Sequence, residues 1–325
     1  MAVTRTSDPA SLFDAARHGD RIALPRLLSL VERGGDGARA VAEIAYRSPG
    51  QAYSVGITGS PGAGKSTLTD QLINCARSRG LDGSDRVAVL AIDPSSPHSG
   101  GAFLGDRVRM QSHALDDKVF IRSMATRGHL GGLSVAVPDA VRVLSAVDVP
   151  VVLVETVGVG QQEVAVAAAT DTTIVVVNPG WGDAVQANKA GLLEIADMFV
   201  INKADRPGAR ETRRDLELML DLTQLGDWRP PIIDTVASSG EGVDDLWTAI
   251  AGHRDHLVAN GDLERFRHQR LVREFHQILL ARVERHLDDL MGDARFAGVV
   301  TDMSDGTLDP YEAADRILAW LLPGD

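Results

Sequence analysis

AYSVGITGSPGAGKST, residues 52–67, decides the fold. AYSVGIT (52–58) is a short run of strand-forming character. It meets GSPGAGKS (59–66), which has the spacing G-x-x-x-x-G-K-[ST], and TLTDQLINCARSRG (67–80) then reads as a helix. Such a strand, glycine-rich turn and helix bring inward-turned backbone N–H groups and the positive end of a helix to one point, which suits phosphate. Gly59, Ser60, Pro61, Gly62, Ala63, Gly64, Lys65, Ser66 and Thr67 are therefore the phosphate-side candidates. Lys65 is placed to reach β- and γ-phosphates, and the Ser66 hydroxyl to bind Mg²⁺.

Outward from this stretch, six further runs read as strands: RVAVLAID (86–93), KVFIRS (118–123), VPVVLVE (149–155), TTIVVVN (172–178), DMFVIN (197–202) and PIIDTVA (231–237). Most are continuously apolar rather than alternating, the pattern of strands covered on both faces. With helical segments between them, they predict an α/β fold: a three-layer P-loop NTPase. Its mostly parallel sheet carries helices on both faces and a ligand site at the strands' carboxyl ends. Residues 8–48 read as helical, with Asp8 or Ser11 as the first cap, and SPGQ (48–51) as a break. Beyond 250 the strands stop. The segment 263–291 places Leu271, Phe275, Ile278, Leu279, Val283 and Leu287 at helical spacing, and 310–325 reads as a last short helix. The expected organisation is an N-terminal helical segment (1–50), a nucleotide-binding domain (51–255) and a C-terminal helical region (256–325).

Composition narrows the function classes. A formal charge of −12 over 325 residues argues against nonspecific binding to nucleic acid or anionic membranes, while leaving room for a local phosphate site. With 4% aromatic residues, the core must come from Val, Leu, Ile and Ala. Cys75 is the only cysteine, so an intrachain disulfide and a thiolate cluster are excluded, which fits a reducing cytoplasm. No leader-like apolar stretch opens the chain, and no run approaches the roughly 20 residues of a membrane span. Of the nine histidines, His253 and His256 are three apart on a helix, but no third ligand is near in sequence, and all nine read as solvated.

NKAD (202–205) follows a strand and fits a guanine-reading element. Asp205 can accept from both N1–H and the exocyclic amine of guanine. Adenine has neither at that edge and would leave the carboxylate unpaired, so the element favours GTP over ATP. Asn202 would face N7, and the Lys203 stem would lie along the base. VASSGEGV (236–243) stands where a third base-side loop belongs, with Ala237 N–H and neighbouring Ser238 as candidates. Three acids compete for Mg²⁺ and its water: Asp93 in AIDPSSPHSGG, Asp106 in LGDRVRM, and Glu155 in VVLVETVGVGQQE (151–163). Glu155 stands where Asp is usual in nucleotide hydrolases. It can touch the metal, hold a water or steer the loop after it. Gly158 is placed to offer its N–H to a γ-phosphate, a contact that hydrolysis would remove. Gln161 and Gln162 are candidates for orienting water, and Arg107, Arg109 and Arg127 are candidates for an arginine finger, with structural or partner-facing roles the favoured alternative.

GSPGAGKST, AIDPSSPHSGGAFLGDRVRM, TRGHLGGLS, VETVGVGQQE, NPGWGDAVQANKAG and NKAD together resemble the MeaB/ArgK family of methylmalonyl-CoA mutase-associated GTPases, over nearly the whole chain. The resemblance implies a SIMIBI-class P-loop GTPase that binds GTP or GDP with Mg²⁺. It implies slow turnover without a partner, with Lys65, Asp106, Glu155 and Gly158 in the hydrolytic machinery and Ser66, Asp93, Asp106 and Glu155 around the metal. It further implies a chaperone of an adenosylcobalamin-dependent acyl-CoA mutase, gating cofactor loading and protecting the mutase. Residues 155–163 become a switch, and 178–191 a further switch with Gln186 and Lys189 as relays. The C-terminal helices become a homodimerisation arm. A small-molecule kinase or ATPase on the same fold, and a nickel-inserting GTPase, are the alternatives.

Overall fold

The computed structural model describes residues 8–48, 50–81, 83–93, 111–113, 115–125, 132–156, 162–180, 191, 194–223, 226–291 and 294–321. Seven strands, β1 (Tyr53–Gly59), β2 (Val87–Asp93), β3 (Val119–Ala125), β4 (Val151–Thr156), β5 (Thr172–Val177), β6 (Met198–Asn202) and β7 (Ile232–Thr235), form one sheet. Its order is β3-β2-β4-β1-β5-β6-β7, and each pairing is parallel. Each strand coincides with a run predicted above, because both sheet faces are covered. On one face, Val55, Ile57, Val89, Leu153, Val176 and Val200 pack with α4 (Lys65–Arg79) and α8 (Val243–Ala259). On the other, Leu90, Ile92, Val152 and Val154 meet the N-terminal helices α1 (Pro9–Arg17), α2 (Ala23–Arg33) and α3 (Gly35–Arg47), together with α5 (Gly132–Ala146) and α6 (Gln162–Ala169). Farther along the sheet that face packs on α7 (Ala209–Leu222) through Phe199 and Ile201.

Local chemistry sets the ends of these elements. The Asp8 side chain accepts from Ser11 N and caps α1, as one of the two sequence candidates predicts. Arg122 on β3 donates to Pro25 O and Ser29 Oγ, each at 3.0 Å, and pairs with Glu32, which ties α2 to the edge strand. Gly56 faces α6 closely: a Cβ there would lie 2.6 Å from Thr170 Oγ1. That close approach explains why β1 carries small residues on this face.

At the amino ends of the strands lies a buried polar hub. Asp171, 2% exposed in its side chain, accepts from Ser54 N at 2.9 Å and pairs with Arg267 and Arg270 at the start of α9 (Asp262–Met291). Burial alone would raise its carboxyl, but the two arginines outweigh that and hold it at about 2. Beside it, Tyr53 Oη and His253 Nδ1 both bond Thr172 Oγ1, at 2.5 and 2.8 Å. His253 Nε2 stands 3.6 Å from Asp197 Oδ1. His253, solvated in the sequence reading, is 2% exposed, because α8 turns it onto β5.

Burial pushes Asp197 up to about 7 and His253 down to about 4. Asp197 keeps its proton when folded after the unfolded chain has lost it, so its contribution is full below pH ~4 and is lost as pH rises toward 7. His253 stays neutral when folded while the unfolded chain binds a proton, so its contribution is lost as pH falls from about 6.5 toward 4. Across that window the two slopes oppose each other. Wild-type thermal stability should therefore vary little there through this pair. Asp197→Asn should make stability fall on acidification, and His253→Gln should make it rise. The ceiling is about 1.4 kcal/mol per pH unit for one proton. The His253→Gln slope should lie well below that ceiling, since the Asp197 side chain is 35% exposed and screened by solvent. Parallel slopes for the two variants in a thermal-melt series would refute the assignment.

The described residues divide into two compact units, Met1–Leu271 and Val272–Asp325. In the second, α10 (Ala294–Ser304) and α11 (Pro310–Leu321) bury Val299, Leu308, Ala313 and Ile317, with Leu287 and Phe296 packed against them. The sequence does not announce α10, whose Gly298, Val299, Val300 and Thr301 are weak helix formers. Packing against α11 overrides that preference. No described helix is long and apolar enough to cross a membrane.

Candidate functional site

The carboxyl end of β1 delivers the chain into the phosphate loop. Gly59, at φ +130°, has no room for a side chain, since a Cβ would lie 2.0 Å from Val176 O. Ser60 N donates to that same carbonyl at 3.2 Å, so the loop starts bonded to β5. Gly64, at φ +94°, caps α4 in the left-handed region. The N-terminus of α4 thus points its first N–H groups toward the loop, a ready anion site. Pro61 and Gly62 are exposed, Ala63 is buried and Thr67 is exposed. Lys65 is 7% exposed, and its Nζ donates to Gly59 O at 2.8 Å and Ser60 O at 3.1 Å. The cation is thereby held across the loop's concave side.

Glu155 completes the next contact. In register, β4 sets it opposite Ile57 of β1 and Ala91 of β2, and it is 1% exposed. Its Oε1 accepts from Ser66 Oγ at 2.6 Å. The structure thus brings together two of the predicted metal-side residues. A hydroxyl whose proton is held by a carboxylate keeps its oxygen lone pairs available, and hard oxygen donors of this kind fit Mg²⁺. Asp93 ends β2, next to β4 in the sheet. Asp106, Gly158, Gln161, Gln186, Lys189, Arg107, Arg109 and Arg127 lie outside the described residues.

The base-side loops are joined to the phosphate loop by two side chains. Asn202, 2% exposed at the end of β6, donates from Nδ2 to Ala63 O at 2.7 Å. Its Oδ1 accepts from Ala237 N at 3.0 Å and Thr235 Oγ1 at 3.2 Å. Both ends of its amide therefore bond within the protein, and so does the Ala237 N–H. The sequence pattern assigns both groups to the base instead. A Cβ on Gly64 would lie 2.4 Å from Asn202 Nδ2, so the glycine also makes room for this bridge. Lys203, at φ +61°, sends Nζ to Gly62 O at 2.6 Å. Ala204 N donates to Thr235 O at 3.0 Å, which leaves Asp205 exposed beyond β6. Ser238 is exposed on the 236–243 loop, next in sequence to Ala237.

Sequence reasoning missed Thr58 and Thr156. Both are completely buried, and Thr156 Oγ1 donates to Thr58 Oγ1 at 3.1 Å. A threonine near the carboxyl end of each of two neighbouring strands was the available signal. Among the described residues, no group of three or more His, Cys, Asp or Glu is placed to hold a metal.

The sequence profile of the family described as "Methylmalonyl Co-A mutase-associated GTPase MeaB" matches residues 24–291. A relative from Pyrococcus abyssi named "Putative GTPase" is 48% identical over 318 residues, spanning 96% of this chain and 97% of the relative. The GTPase ArgK of Escherichia coli is 35% identical over 280 residues, 83% of each chain. Among solved structures, an LAO/AO transport system kinase superposes with a TM-score of 0.72 at 26% identity, covering 98% of this chain and 99% of the other.

Proposed function

Because this chain belongs to the MeaB family of methylmalonyl-CoA mutase-associated GTPases, we propose that it is a GTP-hydrolysing chaperone of an adenosylcobalamin-dependent acyl-CoA mutase. Methylmalonyl-CoA mutase is the partner that the family description favours. In this reading the protein gates cofactor loading and protects the mutase. The single, buried cysteine supports a cytoplasmic site of action.

The Ser66–Glu155 hydrogen bond beside a glycine-shaped phosphate loop is the observation that carries the hydrolytic part. Lys65 leaves two backbone carbonyls to meet phosphate oxygens, and the α4 N-terminus adds N–H donors. Glu155 orients the Ser66 hydroxyl. Bound Mg²⁺, held on Ser66 with Asp93 and Asp106 as further candidates, supplies neutralisation of the phosphate charge. Asp205 reads the guanine edge, while Asn202 and Lys203 keep the base-side and phosphate-side loops at a fixed separation.

A homodimer is supported by the second unit. Val272, Phe275, Leu279, Leu280 and Val283 are 41–62% exposed along one helix. Apolar stretches of this kind mark contact surfaces. The test is direct. Mixed with adenosylcobalamin-dependent methylmalonyl-CoA mutase and GTP, the protein should hydrolyse GTP several-fold faster and co-elute with the mutase. Neither a complex nor a rate change, with methylmalonyl-CoA and isobutyryl-CoA mutases alike, would refute the chaperone reading.

A further inference from the structure

β4 is fixed at its carboxyl end from both faces of the sheet. Alternation along the strand sends Glu155 to the α4 side, where it holds Ser66, and Thr156 to the opposite side, where it holds Thr58. Thr58 immediately precedes Gly59, whose carbonyl accepts from Lys65 Nζ. Thr156 immediately follows Glu155. The hydroxyl pair therefore joins two strand ends that each lead, by one residue, to a side chain or carbonyl of the phosphate site. Both threonines are fully buried, so the hydroxyls have no water to replace one another. Valine would fill both positions with nearly the same shape, yet the chain carries a hydroxyl at each.

We infer that Thr58 and Thr156 form a positioning pair for GTP hydrolysis: their hydrogen bond sets Glu155 against the phosphate loop. The inference rests on the reading of Glu155 and Ser66 as the Mg²⁺-facing pair. Neither threonine is placed to touch the nucleotide, so the effect belongs in the hydrolytic step rather than in binding.

The experiment compares Thr156→Val, Thr156→Ser and the double variant Thr58→Val/Thr156→Val with wild type. It measures single-turnover GTP hydrolysis, GDP affinity and thermal midpoint. Thr156→Val should hydrolyse GTP about 5- to 20-fold more slowly, the size expected for one lost hydrogen bond. GDP affinity should stay within twofold, and Thr156→Ser should recover wild-type hydrolysis within twofold. The double variant leaves no buried hydroxyl unpaired, so it should regain thermal stability while remaining slow. Recovery of hydrolysis together with stability in the double variant would overturn the inference, as would a Thr156→Ser as slow as Thr156→Val. Glu155→Gln measured alongside separates the two readings. If it hydrolyses normally while Thr156→Val is slow, the reading of Glu155 fails and with it the inference that the threonine pair acts through Glu155; if both are slow, both stand.

Discussion

Lys65→Ala is expected to lower GTP hydrolysis by about 10²–10³-fold, the loss seen when one preorganised donor to developing charge is removed. The side chain is 7% exposed and bonded to two carbonyls of its own loop. Its ammonium is therefore already desolvated and aimed where phosphate oxygens must come. The two carbonyl bonds are exchanged for bonds to phosphate oxygens when the substrate arrives, and the ammonium makes them from a position already largely out of water. The fold should survive the change. Asn202 and Lys203 bind the loop from the other side, through Ala63 O and Gly62 O, and Ser60 N remains bonded to Val176 O. Lys65→Arg should be nearly as inactive, because a planar guanidinium cannot take the place of a compact ammonium between two carbonyls. Single-turnover hydrolysis and a thermal melt, measured on the same samples, check this. Hydrolysis within tenfold of wild type in a folded Lys65→Ala would remove Lys65 from the machinery.

The sheet was legible because its physical cause is local. Strands covered on both faces must be apolar throughout, so VVLV before Glu155 and TIVVV in β5 read directly as buried strands. The phosphate loop was legible for a similar reason: strand, glycines, lysine and helix are contiguous in sequence. What sequence could not give were contacts between distant segments. Asp171 meets Arg267 across 96 residues, and nothing near either one announces the other. His253 looks like any polar residue on a charged helix until α8 turns it onto Thr172. The NKAD motif shows the same limit within the site itself. Its spacing places Asn202 at the end of a strand, and β6 ends there. It carries no information on where the amide points, and the amide bonds Ala63 and Ala237 instead of standing free toward the base. In the proposed reading, Asn202 then holds two loops together, and recognition of the base falls more heavily on Asp205.

That concentration of recognition makes Asp205→Asn the sharpest test of nucleotide choice. A guanine edge presents two donors, N1–H and the exocyclic amine, and a carboxylate accepts both. Hydrogen bonds to a charged group are each worth about 1.5–3 kcal/mol, so losing the one to the exocyclic amine costs at least that, roughly 10- to 10²-fold in affinity. The asparagine variant keeps one acceptor and gains one donor. Against guanine, its amide nitrogen opposes the exocyclic amine, donor against donor. Against xanthine, the same nitrogen meets a carbonyl oxygen at that carbon, while the amide oxygen still accepts N1–H. Preference should therefore invert, with GTP weakened and xanthosine triphosphate bound and hydrolysed. The exposed position of Asp205 argues that the substitution leaves the fold untouched. Because Asn202 and Lys203 secure the loops independently of the base, hydrolysis of the matched nucleotide should approach the wild-type rate on GTP. Competition binding of GTP, ATP and xanthosine triphosphate to wild type and variant reads this directly. An Asp205→Asn protein that still prefers GTP, or a wild type that prefers ATP, would place guanine recognition elsewhere or remove it altogether.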